Sequence, residues 1–190
     1  MNDQPTHPGG ASGEGQPDSR AAGAAVVTPL RAVLAQLAEV VAALDDGQYR
    51  RKGVAQLNAS VGGHVRHCLD HVSALLAGLD TGVVDYEKRE RGGDIETRRT
   101  AAVDLMKDLD DRLARNHAVD PATGVSTVVM LAADQPPLKA RSTFGRECGF
   151  VLSHTIHHSA MIGAMVRDMG GDVPEHFGYA PGTVAFLKRA

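Results

Sequence analysis

Six of the nine histidines fall in two short windows, SVGGHVRHCLDH (His64, His67, His71) and VLSHTIHHSAMIGAMVRDM (His154, His157, His158). Neutral imidazole is a good ligand for borderline divalent metals, and residues four apart on a helix project from one face. Two histidine-bearing helix faces packed together would hold a metal ion. Three protein ligands leave positions for water and substrate, as in catalytic rather than structural zinc sites. Uncharged ligands also leave the ion its full charge, which lowers the pKa of a bound water or thiol. Zn²⁺, Ni²⁺ and Fe²⁺ all suit such a donor set.

At about 100° per residue, His154 and His158 lie about 40° apart. They share a core-facing stripe with Glu147, Phe150, Val151, Met161, Ile162 and Met165. His157 falls at the edge of that stripe and is the weaker ligand candidate. Glu147 lies about two turns before His154, too far along the axis for one ion, and reads as a carboxylate serving a ligand or a substrate. In the first window, His64, His67 and His71 share a stripe with Leu75 and Gly78. Val65, Leu69, Val72 and Leu76 form a separate apolar stripe. Asp70, about 60° from His67, could orient an imidazole or bind a partner's guanidinium. A single helical histidine facing a core is more often a hydrogen-bonded structural residue than a ligand. Six on two inward stripes are harder to explain that way. One helix supplies His154 and His158, a neighbouring helix the third ligand. The remaining histidines become hydrogen-bonding, proton-carrying or substrate contacts, with His71 and Glu147 the candidates for a catalytic role.

These windows need helices to hold them. Residues 1–23 are rich in Gly, Pro, Ser, Asp and Gln, with little to bury, and read as a disordered tail. Thr28-Pro29 reads as a cap followed by proline at the first helical position, opening a helix to about Asp45. Asp46 to Ala59 reads as an irregular connection, and Ser60 caps a second helix to about Leu79. The charged run Asp85–Arg91 reads as solvated. A third helix runs from about Asp94 to Asn116. Val125–Ala132 and Leu138–Thr143 read as a hairpin around Asp134-Gln135-Pro136-Pro137. The last long helix spans about Ser142 to Met169, followed by a tail with a Gly178-Tyr179-Ala180-Pro181-Gly182 turn. The expectation is an all-α fold: residues 24–190 form a four-helix bundle with a small β-hairpin before the last long helix.

The chain has 190 residues and is 43% hydrophobic, enough for one good-sized core. A net charge of −3, with no basic patch, argues against nucleic acid as a partner. Cys68 and Cys148 are no disulfide framework and read as small buried hydrophobes in a reducing cytosol. No run of about 18 apolar residues marks a membrane span, and the N-terminus lacks the layout of a secretory signal. The expected setting is cytoplasmic, with no membrane partner and a small-molecule substrate.

The segments SVGGHVRHCLDH and REC-x4-SHTIHHSAMI, with the closing FGYAP-x-T, resemble the DinB/YfiT-like superfamily of metal-dependent enzymes. The resemblance covers most of residues 28–187. It implies a four-helix bundle that binds a divalent metal through one histidine of the second helix and an HxxxH pair of the last. The pair carries over to His154 and His158. The family pattern of His followed three residues later by Asp matches His67 and Asp70, and the HxxH segment of related sulfoxide synthase domains again selects His67 over His64. His64 and His71 depart from the simplest pattern. Relatives include thiol-dependent transferases, a maleylpyruvate isomerase and hydrolase-like proteins, and many are dimers. The resemblance therefore implies a site that activates water or a low-molecular-weight thiol as cosubstrate, in a chain that can form a homodimer. A metal-binding stress-response module without turnover is the alternative.

Overall fold

The computed structural model of this chain describes residues 19–52, 59–88 and 92–189, so most of the expected N-terminal tail lies outside the described residues. Helix α1 (Ser19–Ala43) starts at Ser19 rather than Thr28 and runs through Pro29. Residues 19–23 are thus helical, not part of a tail. The Ala-rich run at 21–25 has strong helix propensity, and Gly23 lies so close to the next layer that a Cβ would stand 2.5 Å from the carbonyl oxygens of His117 and Val119. Packing of this extra turn, with Val27 fully buried, offsets the hydrogen bond that Pro29 removes. By length and composition Arg20–Ala43 could cross a bilayer, at a mean hydropathy of 1.5. Its Leu30, Leu34, Leu37 and Val41 are instead buried in the core.

Within the expected connection, a capping box between Asp45 and Gln48 starts a short helix, α2 (Asp46–Arg50). Residues 53–58 of that connection lie outside the described residues. Helix α3 (Val61–Thr81) begins as expected at Ser60, whose Oγ accepts from the Gly63 amide at 3.0 Å. It ends on Gly82, whose φ of 73° only glycine adopts cheaply. The chain passes at once into β1 (Val83–Asp85). The third expected helix is broken at Arg98 into α4 (Asp94–Thr97) and α5 (Arg99–Arg115). The break has a packing reason: α4 presses on α3 so closely that a Cβ on Gly62 would stand 2.1 Å from the Glu96 carbonyl oxygen.

Strands β2 (Gly124–Val129) and β3 (Leu138–Thr143) pair antiparallel, with Thr127 opposite Ala140. β1 pairs parallel to β2, with Val84 opposite Thr127, so the sheet has three strands in the order β1-β2-β3. At three residues β1 is too short to show an alternating pattern, and the charge run that follows masks it. Thr143 ends β3 and caps α6 (Phe144–Asp168), accepting from the Arg146 amide at 3.3 Å. The four long helices α1, α3, α5 and α6 pack as α1 on α5, α5 on α3, α3 on α6 and α6 on α1. The fold is mostly helical with a small three-stranded sheet. After α6, Phe177 is buried and Gly178 (φ 77°) lies against Ala160, before the exposed α7 (Pro181–Leu187).

Candidate metal centre

Both stripes of α3 are buried, because this helix packs on α5 as well as α6: Val65, Leu69 and Val72 on one side, His64, His71 and Leu75 on the other. The histidine side meets the matching stripe of α6. There Nε2 of His67 and Nε2 of His154 approach to 3.0 Å. His71 joins them, and one ring nitrogen from each of the three lies within 4.8 Å of the others. Nδ1 of His71 donates to the His67 carbonyl oxygen at 2.8 Å. In the neutral ring that bond puts the proton on Nδ1 and leaves the Nε2 lone pair for a ligand role. Tetrahedral Zn–N bonds of about 2.0–2.1 Å place ligand nitrogens about 3.3 Å apart, close to the His67–His154 separation. The donor set fits a borderline divalent ion.

His158 stands beside this group, its ring centroid 4.6 Å from His154 and 4.8 Å from His67. Its Nδ1 meets Nδ1 of His64 at 3.0 Å. One proton is shared by that contact, and its location decides what His158 can do. With the proton on Nδ1 of neutral His158, the ring's Nε2 carries a lone pair; with the proton on His64, that Nε2 carries N–H and cannot ligate. Burial, reinforced by the histidines around it, pushes His158 down to about 3. Burial and His157 lower His64 as well. Nε2 of His64 is buried with no hydrogen-bond partner among the described residues. His157 is exposed.

An aromatic wall borders the imidazoles. Tyr86 stacks on His71 (5.1 Å between centroids, 23°), His71 on His154 (4.2 Å, 26°) and Phe150 on His154 (5.8 Å, 25°). Tyr86 closes onto Phe150 edge-to-face at 5.2 Å. The Tyr86 hydroxyl donates to Glu147 at 2.7 Å. Glu147, wholly buried, also accepts from the Ser142 hydroxyl and from Arg146 Nη1, the latter at 2.7 Å. Burial would raise this carboxyl, but those three donors and the Arg146 charge outweigh it and hold it below the usual carboxylate value. Glu147 is an anchored anion rather than a poised base.

The structure gathers His64, His67, His71, His154 and His158 and leaves His157 outside. The three imidazoles placed to hold an ion are His67, His71 and His154, with His71 where the sequence reading put His158. Asp70, expected to orient an imidazole, pairs with Arg66 of its own helix at 2.5 Å. Arg66 also reaches Glu96 at 3.1 Å. Cys68 and Cys148 are buried, and desolvation pushes both thiols up to about 12, so neither is a thiolate at neutral pH. Tyr86 was missed. It sits in the run read as solvated, yet it is 5% exposed, and Glu87 beside it accepts from the Met130 amide; residues 89–91 of that run lie outside the described residues. A lone aromatic in a charged run, in a chain with only three tyrosines, was the available signal.

A curated protein named FK506-binding protein 5, from Rhizopus delemar, is 33% identical over 108 residues. That stretch is 56% of this chain and 28% of the relative, so the chain spans little more than a quarter of that protein's length. The crystal structure of a DinB-like protein from Bacillus subtilis superposes with a TM-score of 0.55 at 15% identity, over 82% of this chain and 99% of that one. At that identity the likeness speaks for the fold. The profile of the DinB superfamily matches residues 29–162, more than half of the sequence and both histidine windows up to Ile162. On that match, and on the shared fold, this chain belongs to the DinB superfamily.

Proposed function

We propose that the chain is a metal-dependent enzyme in which His67, His154 and a third imidazole hold a divalent ion that serves a small-molecule substrate. The observation that carries this is the 3.0 Å approach of the His67 and His154 Nε2 atoms, with a His71 nitrogen close by. Two rings compete for the third position: His71, favoured by its fixed tautomer, and His158, favoured by its HxxxH spacing with His154. When bound, the ion would supply a Lewis acid that lowers the pKa of water or of a low-molecular-weight thiol. The chain's own groups point the same way. Its two thiols are buried and protonated, and Glu147 is saturated with donors. His158, held neutral, is a weak base. With no nucleophile or strong base beside the imidazoles among the described residues, the site suits an external nucleophile. Hydrolysis and thiol-dependent S-transfer are the two reactions of that kind.

Elemental analysis of the purified protein tests the reading. Wild type should carry about one divalent ion per chain, and His67→Ala and His154→Ala should carry none. Full metal content in His154→Ala would overturn it. His71→Ala and His158→Ala, measured side by side, name the third ligand by which one loses the ion. A second reading, a metal-binding module without turnover, is favoured by the saturation of Glu147. Turnover of any thiol–electrophile or ester substrate that vanishes in His67→Ala excludes it.

A further inference from the structure

Arg146, Phe150, His154 and His158 follow one another at intervals of four along α6 and so form one ridge on the helix. Along that ridge the Arg146 guanidinium carbon lies 5.4 Å from the Phe150 ring centroid. Phe150 stacks on His154, and His154 meets His67. Eight residues at 1.5 Å per residue set the Arg146 and His154 backbones about 12 Å apart.

The Arg146 side chain is 64% exposed, but its guanidinium is held. The Phe150 ring lies beneath it, and Nη1 is fixed on Glu147 at 2.7 Å. Glu147 is in turn gripped by Tyr86 and Ser142. A pre-oriented guanidinium loses little side-chain entropy when it binds, and its planar fork of N–H donors matches a carboxylate. Because Glu147 already neutralises the Arg146 charge, selection there depends on short-range hydrogen bonding rather than long-range attraction. Between the cation and His154 lies the half-buried ring of Phe150, one face toward each, so a connecting chain would run along the edge of that ring.

We infer that Arg146 recognises a carboxylate at the far end of the substrate, with Glu147 as its positioning residue. The substrate class is then a molecule with a reactive end at the imidazoles, an apolar spacer across Phe150 and a terminal carboxylate roughly two helical turns away. This rests on the metal reading above and adds the end of the substrate that the metal does not touch.

Calorimetric titration of Co²⁺-loaded protein with mercaptohexanoate, mercaptohexanol and mercaptoacetate tests it. Mercaptohexanoate should bind about tenfold more tightly than mercaptohexanol, the effect of one charge-assisted pair. Arg146→Gln should erase that difference, and Arg146→Lys should retain part of it. Glu147→Gln should narrow the gap between the two long thiols while leaving mercaptoacetate, too short to span the ridge, unchanged; a general loosening of the fold would weaken all three. Equal affinities for the two long thiols in wild type, or a preference that survives Arg146→Gln, would overturn the inference and leave the metal site standing. Failure of the wild-type protein to take up Co²⁺ would overturn the metal reading and this inference together.

Discussion

A carboxylate with no exposed surface must be given donors or be protonated, and Glu147 is given Tyr86, Ser142 and Arg146. Its pKa is held below the ordinary 4.5. Between those two values the unfolded chain binds the proton that the native chain refuses, so stability falls as pH drops through that window and is fully present above 4.5. Glu147→Gln should cost about 3 kcal/mol in urea unfolding at neutral pH, by leaving buried hydroxyls mispaired. The cost should shrink as pH falls below 4.5; a difference that stays constant down to pH 3 would contradict this account. Residues whose role depends on helix period were legible in the sequence. The stripes that put His154 beside Phe150, and His67 with His71, follow from intervals of three and four alone. Tyr86 left only a faint mark, a lone aromatic in a charged run, because its place is set by strand pairing about forty residues away, where Val84 and Asp85 meet Thr127 and Val128.

At the scale of elements, α3 is held by two glycines that do different work. A Cβ on Gly78 would stand 2.3 Å from Val84 Cγ2, so this glycine lets β1 lie against the helix that precedes it. Gly78→Ala should destabilise by about 2 kcal/mol, although alanine is the better helix former by about 1 kcal/mol. Adding Val84→Ala should recover part of the loss, a non-additivity that a double-mutant cycle measures. Gly82 differs: nothing crowds it, and only its φ of 73° matters. Gly82→Ala should cost about 1 kcal/mol and Gly82→Asn less, read from thermal unfolding. The same contrast explains which helix ends could be read beforehand. Ser60 works through its own side chain and was found from sequence. The start of α1 depends on the close approach of Gly23 to His117, and the break at Arg98 on the seat of α4 against Gly62. The first leaves only the Ala-rich run at 21–25 as a local mark, and the second leaves none.

At the scale of the whole molecule, the His67–His154 contact ties together residues 87 apart in the chain. An ion held there binds the folded chain and not the unfolded one. At a hundred times its dissociation constant it should add about 2.7 kcal/mol of stability. Chelator-treated protein should therefore melt at a lower temperature than protein in excess Zn²⁺, and His154→Ala should melt alike in both. The helical character and the pairing of the two windows were readable across the chain, and a DinB-like structure at 15% identity keeps the fold. The parallel strand was hidden, since its partner lies beyond α4 and α5. That strand has a mechanical consequence. Helix α3 enters β1 through a single residue, Gly82, and β3 enters α6 at Thr143, so the sheet works as a yoke between the two histidine helices. The spacing of the imidazoles is then set in part by backbone pairing within the sheet. Opening of β2 must let that spacing drift. Deuterium uptake at the amides of Ser126, Thr127 and Val128, none of them on a histidine helix, should slow when metal is added and quicken when it is stripped.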